Sequence, residues 1–183
     1  QGHSYQKEYL AYETELKQNG ICFLKNEKRE VILAGNSFVI NGLELPLEYY
    51  HKPFSPKLTD QKMKELMGEP VPGAVNILLA HNPKYGKAYF NWGADLTLSG
   101  HYHGGILRLN ENHGLTCPQY LFLPPYCCGK FTRGSQHMIV SAGLGEHTIP
   151  VRIHNPRELI LVDLVPARKH TGHPHKNRKV HGN

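Results

Sequence analysis

The sequence predicts an α+β domain in which mixed or antiparallel β layers are flanked by short helices. Three observations lead there. Two polar stretches with helical periodicity are separated by short β-branched segments and turn residues. A nearly continuous apolar run, Val75-Asn76-Ile77-Leu78-Leu79, reads as a strand covered on both faces. A helix and another strand then follow within about 25 residues, a compact crossover unit.

Taken in order, Tyr9, Tyr12 and Leu16 recur at three- and four-residue steps, predicting a helix from Tyr5 to Gln18 stopped by Asn19-Gly20. Ile21 to Leu24, Glu30 to Leu33 and Ser37 to Ile40 read as strands of an antiparallel meander, joined by Lys25-Asn26-Glu27 and Gly35-Asn36. Tyr49 to Lys57 is a Pro-containing loop. Thr59 caps a helix that runs to Met67 and ends at Gly68 and Pro70. Beyond the apolar strand, a helix is expected at Tyr85 to Trp92 and strands at Asp95 to Ser99, Ile106 to Leu109, Met138 to Ser141 and Leu159 to Leu164. A Pro/Gly-rich excursion occupies Cys117 to Gly134.

With 183 residues, 39% hydrophobic and 20% charged, the chain has the composition of a globular domain. Its apolar runs fall well short of the roughly 20 residues needed to span a bilayer. The net charge of +6 invites a nucleic-acid reading, but its placement argues against one. Residues 167–183 hold Arg168, Lys169, Lys176, Arg178 and Lys179 and no acid, so the remainder is nearly neutral. The basic character belongs to a tail, and gives no strong nucleic-acid signal. Cys22, Cys117, Cys127 and Cys128 lack zinc-ligand spacing and read as reduced thiols packed in a core, hence a reducing compartment. The expected location is cytoplasmic or membrane-peripheral in a bacterium, with any signal or anchor upstream.

Thirteen histidines occur, and three stand out by position. His81 follows the apolar strand in Leu78-Leu79-Ala80-His81-Asn82-Pro83. His101 and His103 follow the next strand in Leu98-Ser99-Gly100-His101-Tyr102-His103-Gly104-Gly105. Ligands collect outside the carboxyl ends of strands in such sheets, so two adjacent strands would bring three imidazoles to one edge. Gly100, Gly104 and Gly105 free the backbone for sharp turns and close approach. Asn82, Tyr102, His147 and Arg152 are candidate pocket residues: Asn82 as a ligand's hydrogen-bond partner or a turn cap, Tyr102 as a pocket wall, His147 at the pocket mouth. Arg152 is a phosphate contact or a structural pairing. Tyr126 and Phe131 read as core or rim.

These two histidine blocks resemble the last two conserved blocks of calcineurin-like metallophosphoesterases, in the bacterial YkuE-like branch. Ser141-Ala142-Gly143-Leu144-Gly145, Ile149-Pro150-Val151-Arg152 and Pro156-Arg157-Glu158-Leu159 resemble that branch's C-terminal end. The resemblance covers residues 5–165. It implies part of a four-layer αββα sandwich and hydrolysis of phosphate mono- or diesters by a metal-activated hydroxide. By the same resemblance, His81 and His101 would ligate one divalent metal and His103 a second, with Mn, Fe or Zn expected. The family's Asp-x-His, Gly-Asp-x-x-Asp and Gly-Asn-His-Asp/Glu blocks are absent. Residues 1–4 read as a tag remnant, 5–166 as the C-terminal half of the domain, and 167–183 as a basic, His-rich tail. The chain is therefore expected to supply part of a site, with no catalytic residue assigned, and to be inactive alone. The alternative is a non-catalytic, structural module that pairs with a second copy through an exposed sheet surface.

Overall fold

The computed structural model describes residues 2–51, 54–115, 122–145 and 151–165. Helix α1 spans Gly2–Gln18 and is followed by β1 (Glu27–Leu33) and β2 (Asn36–Leu43). These two strands form a hairpin with Leu33 opposite Asn36. Ala34 and Gly35 turn it with φ of 49° and 75°, the double left-handed conformation whose twist matches a two-residue hairpin.

Helix α2 (Asp60–Met67), β3 (Val75–Ala80), α3 (Gly86–Trp92), β4 (Leu96–Ser99), β5 (Gly129–Arg133) and β6 (Gln136–Val140) complete the regular elements. The six strands make one mixed sheet in the order β1-β2-β3-β4-β6-β5. β2, β3, β4 and β6 run parallel, and antiparallel hairpins close the two edges.

Both later helices have local reasons to start and stop. Thr59 Oγ1 accepts the Lys62 amide at 3.1 Å at the head of α2, and α3 ends on Gly93 at φ 101°. They pack on one sheet face. Met63, Met67, Ala88, Tyr89 and Trp92 meet Leu43, Leu78, Ala80, Met138 and Val140 there in a single core. The Trp92 indole donates to the Gly68 carbonyl at 2.7 Å, fastening one helix end to the other. Tyr126 and Phe131 pack against this core with rings edge to face at 5.1 Å.

The other face is thinly covered. Leu79 is 40% exposed, and a cavity of about 530 Å³ lies between Phe38, Val75, Leu96 and Ile139 on one side and Val162 to Val165 on the other.

Several expected strands differ. Ile21 to Leu24 pairs with nothing in the sheet; Leu24 instead crosses so close to Gly42 that a Cβ there would overlap it. The meander is therefore a two-stranded hairpin whose next neighbour, β3, is parallel. Ile106 to Leu109 makes only single bridges, Leu107 with Ile153 and Arg108 with Gly114, and Leu159 to Leu164 forms no strand. Conversely, β5 lies inside the stretch read as an irregular excursion. Among the described residues one sheet is present, so the expected layering of two sheets is not seen in them.

Cys127 and Cys128 are buried, as expected of core thiols, whereas Cys22 is exposed; none of the three is in a disulfide. No helix among the described residues is long and apolar enough to cross a membrane.

Candidate functional site

Four parallel strands end at one edge of the sheet, so their exit loops are neighbours. β3 runs into His81, β4 into Gly100-His101-Tyr102-His103, and β6 into Ser141 to Gly145. Hydrogen bonds tie these exits sideways beyond the regular ladder. Gly100 N donates to His81 O at 3.1 Å, Ser141 N to Ser99 O at 3.0 Å, and the Ser99 hydroxyl to Ala80 O at 2.6 Å.

Behind His81 the chain is anchored from within. Pro83–Tyr85 forms a 3-10 turn whose first amide, from Lys84, is accepted by Asn82 Oδ1 at 3.1 Å. The buried Tyr89 hydroxyl donates to Asn82 O at 2.7 Å. Asn82 is wholly buried, and its Nδ2 has no hydrogen-bond partner among the described residues. It caps the turn, the more structural of its two sequence-derived roles.

The second histidine block is a tight, strained turn. Tyr102 N donates to Gly100 O and Gly105 N to Tyr102 O, both at 2.7 Å. His101, His103, Gly104 and Gly105 all adopt positive φ, at 61°, 48°, 75° and 80°. For a residue with a Cβ this region costs about 1–2 kcal/mol, and such strain concentrates at functional sites. Tyr102, fully buried between the two histidines, pins the turn to the protein. Gly104 is the glycine this geometry requires most, since a Cβ there would overlap Asn155 Oδ1. At Gly100 a Cβ would meet His81 Nδ1 at an ordinary 3.7 Å.

The structure brings His81 and His101 together, their ring centroids 5.1 Å apart and inclined at 69°. Tyr50 packs edge-on against His101 from outside, centroid to centroid 5.3 Å. His103 turns toward the β6 exit, where a Cβ on Gly145 would lie 3.4 Å from its Cε1. His81 keeps a solvent-exposed edge, yet desolvation of its ring, and next the nearby His103, lowers its pKa below 6.5. Desolvation likewise lowers that of His103, with the Arg152 guanidinium adding to it. Both shifts favour the neutral imidazole, the form that ligates metals.

The donor type fits a borderline transition metal. The donor number does not. Among the described residues no group of three or more His, Cys, Asp or Glu stands close enough to hold a metal ion. The aspartates are spent elsewhere. Asp95 accepts the Asn76 amide at 2.7 Å at the amino ends of the strands, Asp60 accepts from Asn91 at 3.1 Å beside α2, and Asp163 lines the cavity on the thinly covered face.

Arg152 is occupied with backbone. Its Nη2 donates to the carbonyls of Ala142 at 2.9 Å, Gly143 at 3.4 Å and Gly145, and its Nη1 to Pro156 O at 3.3 Å. His147 and the basic tail lie outside the described residues. Sequence reasoning missed Asn155, Glu158 and Tyr50. Asn155 donates to the carbonyls of both His103 and Gly105. Glu158 Oε1 accepts the Ala142 amide at 2.8 Å, with Arg108 3.6 Å from its other oxygen. The Asn155-Pro156 dipeptide, a turn former, was a signal for a fixed loop there; Tyr50 carried none.

No family model matches the chain, and no solved structure is closely similar. Two curated proteins of Bacillus subtilis (strain 168) are similar to part of it. The uncharacterized metallophosphoesterase YkuE is 33% identical over 89 residues, which is 49% of this chain and 30% of YkuE. The uncharacterized protein YpbG is 27% identical over 154 residues, 81% of this chain and 50% of YpbG. The chain thus spans half or less of the length of these relatives. The similarity points to a metallophosphoesterase-related family at most.

Proposed function

We propose that this chain carries the imidazole part of the metal centre of a phosphoesterase hydrolysing phosphate mono- or diesters. The observation that carries the reading is the delivery of three histidines to one carboxyl edge by two adjacent parallel strands. Partial similarity to a protein named as a metallophosphoesterase supports it. In this reading His81 and His101 face one divalent cation and His103 a second, and carboxylates from outside the described residues complete both. A metal so held would supply Lewis acidity and a hydroxide nucleophile at neutral pH.

The chain's own residues do the preparatory work. Desolvation favours the unprotonated forms of His81 and His103, the strained turn fixes the second and third imidazoles before any ligand arrives, and Tyr102, fully buried, anchors that turn rather than walling a pocket. On this reading residues 5–166 act as one part of a larger domain, with 167–183 as an appended basic tail, and the isolated chain is inactive.

The test is hydrolysis of a generic aryl phosphodiester by the full-length gene product with added Mn(II). His103→Ala is expected to abolish turnover. Turnover equal to wild type would overturn the role given to His103, and the absence of any metal-dependent hydrolysis would overturn the reading itself.

A specific surface favours a second reading, pairing with another copy of the chain. Residues 159–165 lie outside the sheet and set apolar side chains on the surface, Leu159 being 88%, Leu161 86% and Val165 79% exposed. The stretch takes no strand partner among the described residues, and an apolar, unpaired edge is a template for strand addition. Sedimentation of the full chain across a concentration series decides it. A monomer at all concentrations refutes pairing.

A further inference from the structure

Residues 151–158 grip both loops that carry or flank the imidazoles. The segment is docked by a bridge in which Ile153 N donates to Ile106 O at 2.8 Å and Arg108 N to Ile153 O at 3.0 Å. From that mooring Arg152 reaches the carbonyls of the β6 exit. Glu158 holds the same exit, its carboxylate accepting Ala142 N and its own amide donating to Gly143 O at 3.1 Å. Asn155, only 3% exposed, reaches the histidine turn instead. Its Nδ2 donates to His103 O at 2.7 Å and to Gly105 O at 2.6 Å.

Those two carbonyls flank Gly104, the residue whose missing Cβ lets the carboxamide approach. A side-chain amide that donates to the turn carbonyls on either side of Gly104 orients two peptide planes at once. We propose that Asn155 is a positioning residue whose carboxamide holds the His101–Gly105 turn in its left-handed form and thereby sets where the His103 imidazole stands. The inference rests on the metal-site reading for its purpose, and on the geometry alone for its mechanism. The chemistry narrows what can replace it. Aspartate has the same shape but no hydrogens, and would set negative oxygens against two carbonyl oxygens. Serine keeps a single donor on a shorter arm.

The experiment uses the full 183-residue chain as wild type, Asn155→Asp, Asn155→Ser and, as a core control remote from the turn, Met67→Ala. The first readout is the short intraresidue contact between amide and α protons that positive φ produces at His101 and His103 in NMR spectra, together with hydrogen exchange of the Gly105 amide. Asn155→Asp is expected to lose the contact at His103 and the protection at Gly105 while the core signals persist. Asn155→Ser is expected to fall between, and Met67→Ala to keep both. Retention of the left-handed signature in Asn155→Asp overturns the proposal. Should that variant not fold, unchanged Gly105 protection in Asn155→Ser overturns it equally.

The second readout is calorimetric titration with Zn(II). Asn155→Asp is expected to weaken binding roughly 10- to 100-fold, as for other residues that orient a ligand from behind, with Met67→Ala unchanged. Equal weakening by Met67→Ala would reduce Asn155 to a general stabiliser and overturn the proposal. If the wild type chain takes up no Zn(II), the metal needs the carboxylates from outside the described residues, and the NMR comparison alone decides the role of Asn155.

Discussion

Replacing Gly104 by alanine tests the packing of the histidine turn against Asn155, because a matched control exists in the same chain. Gly104 has φ of 75°, and a Cβ would overlap the Asn155 carboxamide. Gly73 has φ of 77° and nothing within 4 Å of the same position. Both substitutions place an L side chain in the left-handed region at about 1–2 kcal/mol. Only Gly104→Ala also displaces Asn155, breaking two hydrogen bonds whose net worth is about 0.5–1.5 kcal/mol each. The expected losses are about 1–2 kcal/mol for Gly73→Ala and about 2–5 kcal/mol for Gly104→Ala. Equilibrium urea unfolding of the full chain measures both, read as a midpoint shift at constant slope. The double variant Gly104→Ala with Asn155→Ala should cost less than the sum of the two singles, since the same hydrogen bonds are lost only once. Equal destabilisation by Gly104→Ala and Gly73→Ala, or strict additivity in the double variant, refutes the reasoning.

Further expected outcomes concern the rest of the molecule. Met63 is fully buried in the single core, so Met63→Ala should cost about 2–5 kcal/mol; a thermal midpoint within a degree of wild type contradicts the core assignment. Glu13 is held below its usual pKa of 4.5 by hydrogen bonds from Lys17 and then Lys25. A carboxylate with a depressed folded-state pKa contributes stability above its unfolded pKa and loses it as pH falls through the folded value. The advantage of wild type over Glu13→Gln should therefore be present at pH 7, begin to fall near pH 4.5 and vanish once the pH passes below the depressed folded-state value, as followed by urea unfolding in a pH series; a constant difference speaks against the pairing of α1 with Lys25. Leu161→Asp should abolish any concentration-dependent sedimentation of the chain, because it sets a charge on the exposed apolar stretch. Association unaltered by it moves the contact elsewhere.

Much of the site's scaffold was legible because its signals are local. Thr59 at the head of α2, Gly93 past the end of α3 and Gly35 in the hairpin act through their own φ/ψ or a bond three residues away. The exit positions of His81 and His101 were legible for the same reason, since an apolar run ending in a polar, glycine-rich stretch marks where a covered strand leaves the sheet. Ile106 to Leu109 and Leu159 to Leu164 misled because β-branched composition marks a segment able to pair, whereas pairing needs a free neighbour running alongside. β5 was hidden by the converse. Its residues Lys130 to Arg133 are polar enough for a loop, and only the adjacent β6 edge makes them a strand.

The sequence by itself determined the short-range features: the turns and caps, the covered strand Val75 to Ala80, and the placement of three imidazoles directly after two strands. Those follow from steric limits on each residue and from hydrophobic periodicity, which act within a few positions. Only the tertiary structure decided that β4 lies between β3 and β6, that His81 meets His101 edge to face while His103 faces the β6 exit, and that Asn155 closes on carbonyls 50 and 52 residues earlier. Such contacts depend on the route of the chain between them, and a hydrogen bond carries no trace in the sequence of which distant carbonyl will accept it.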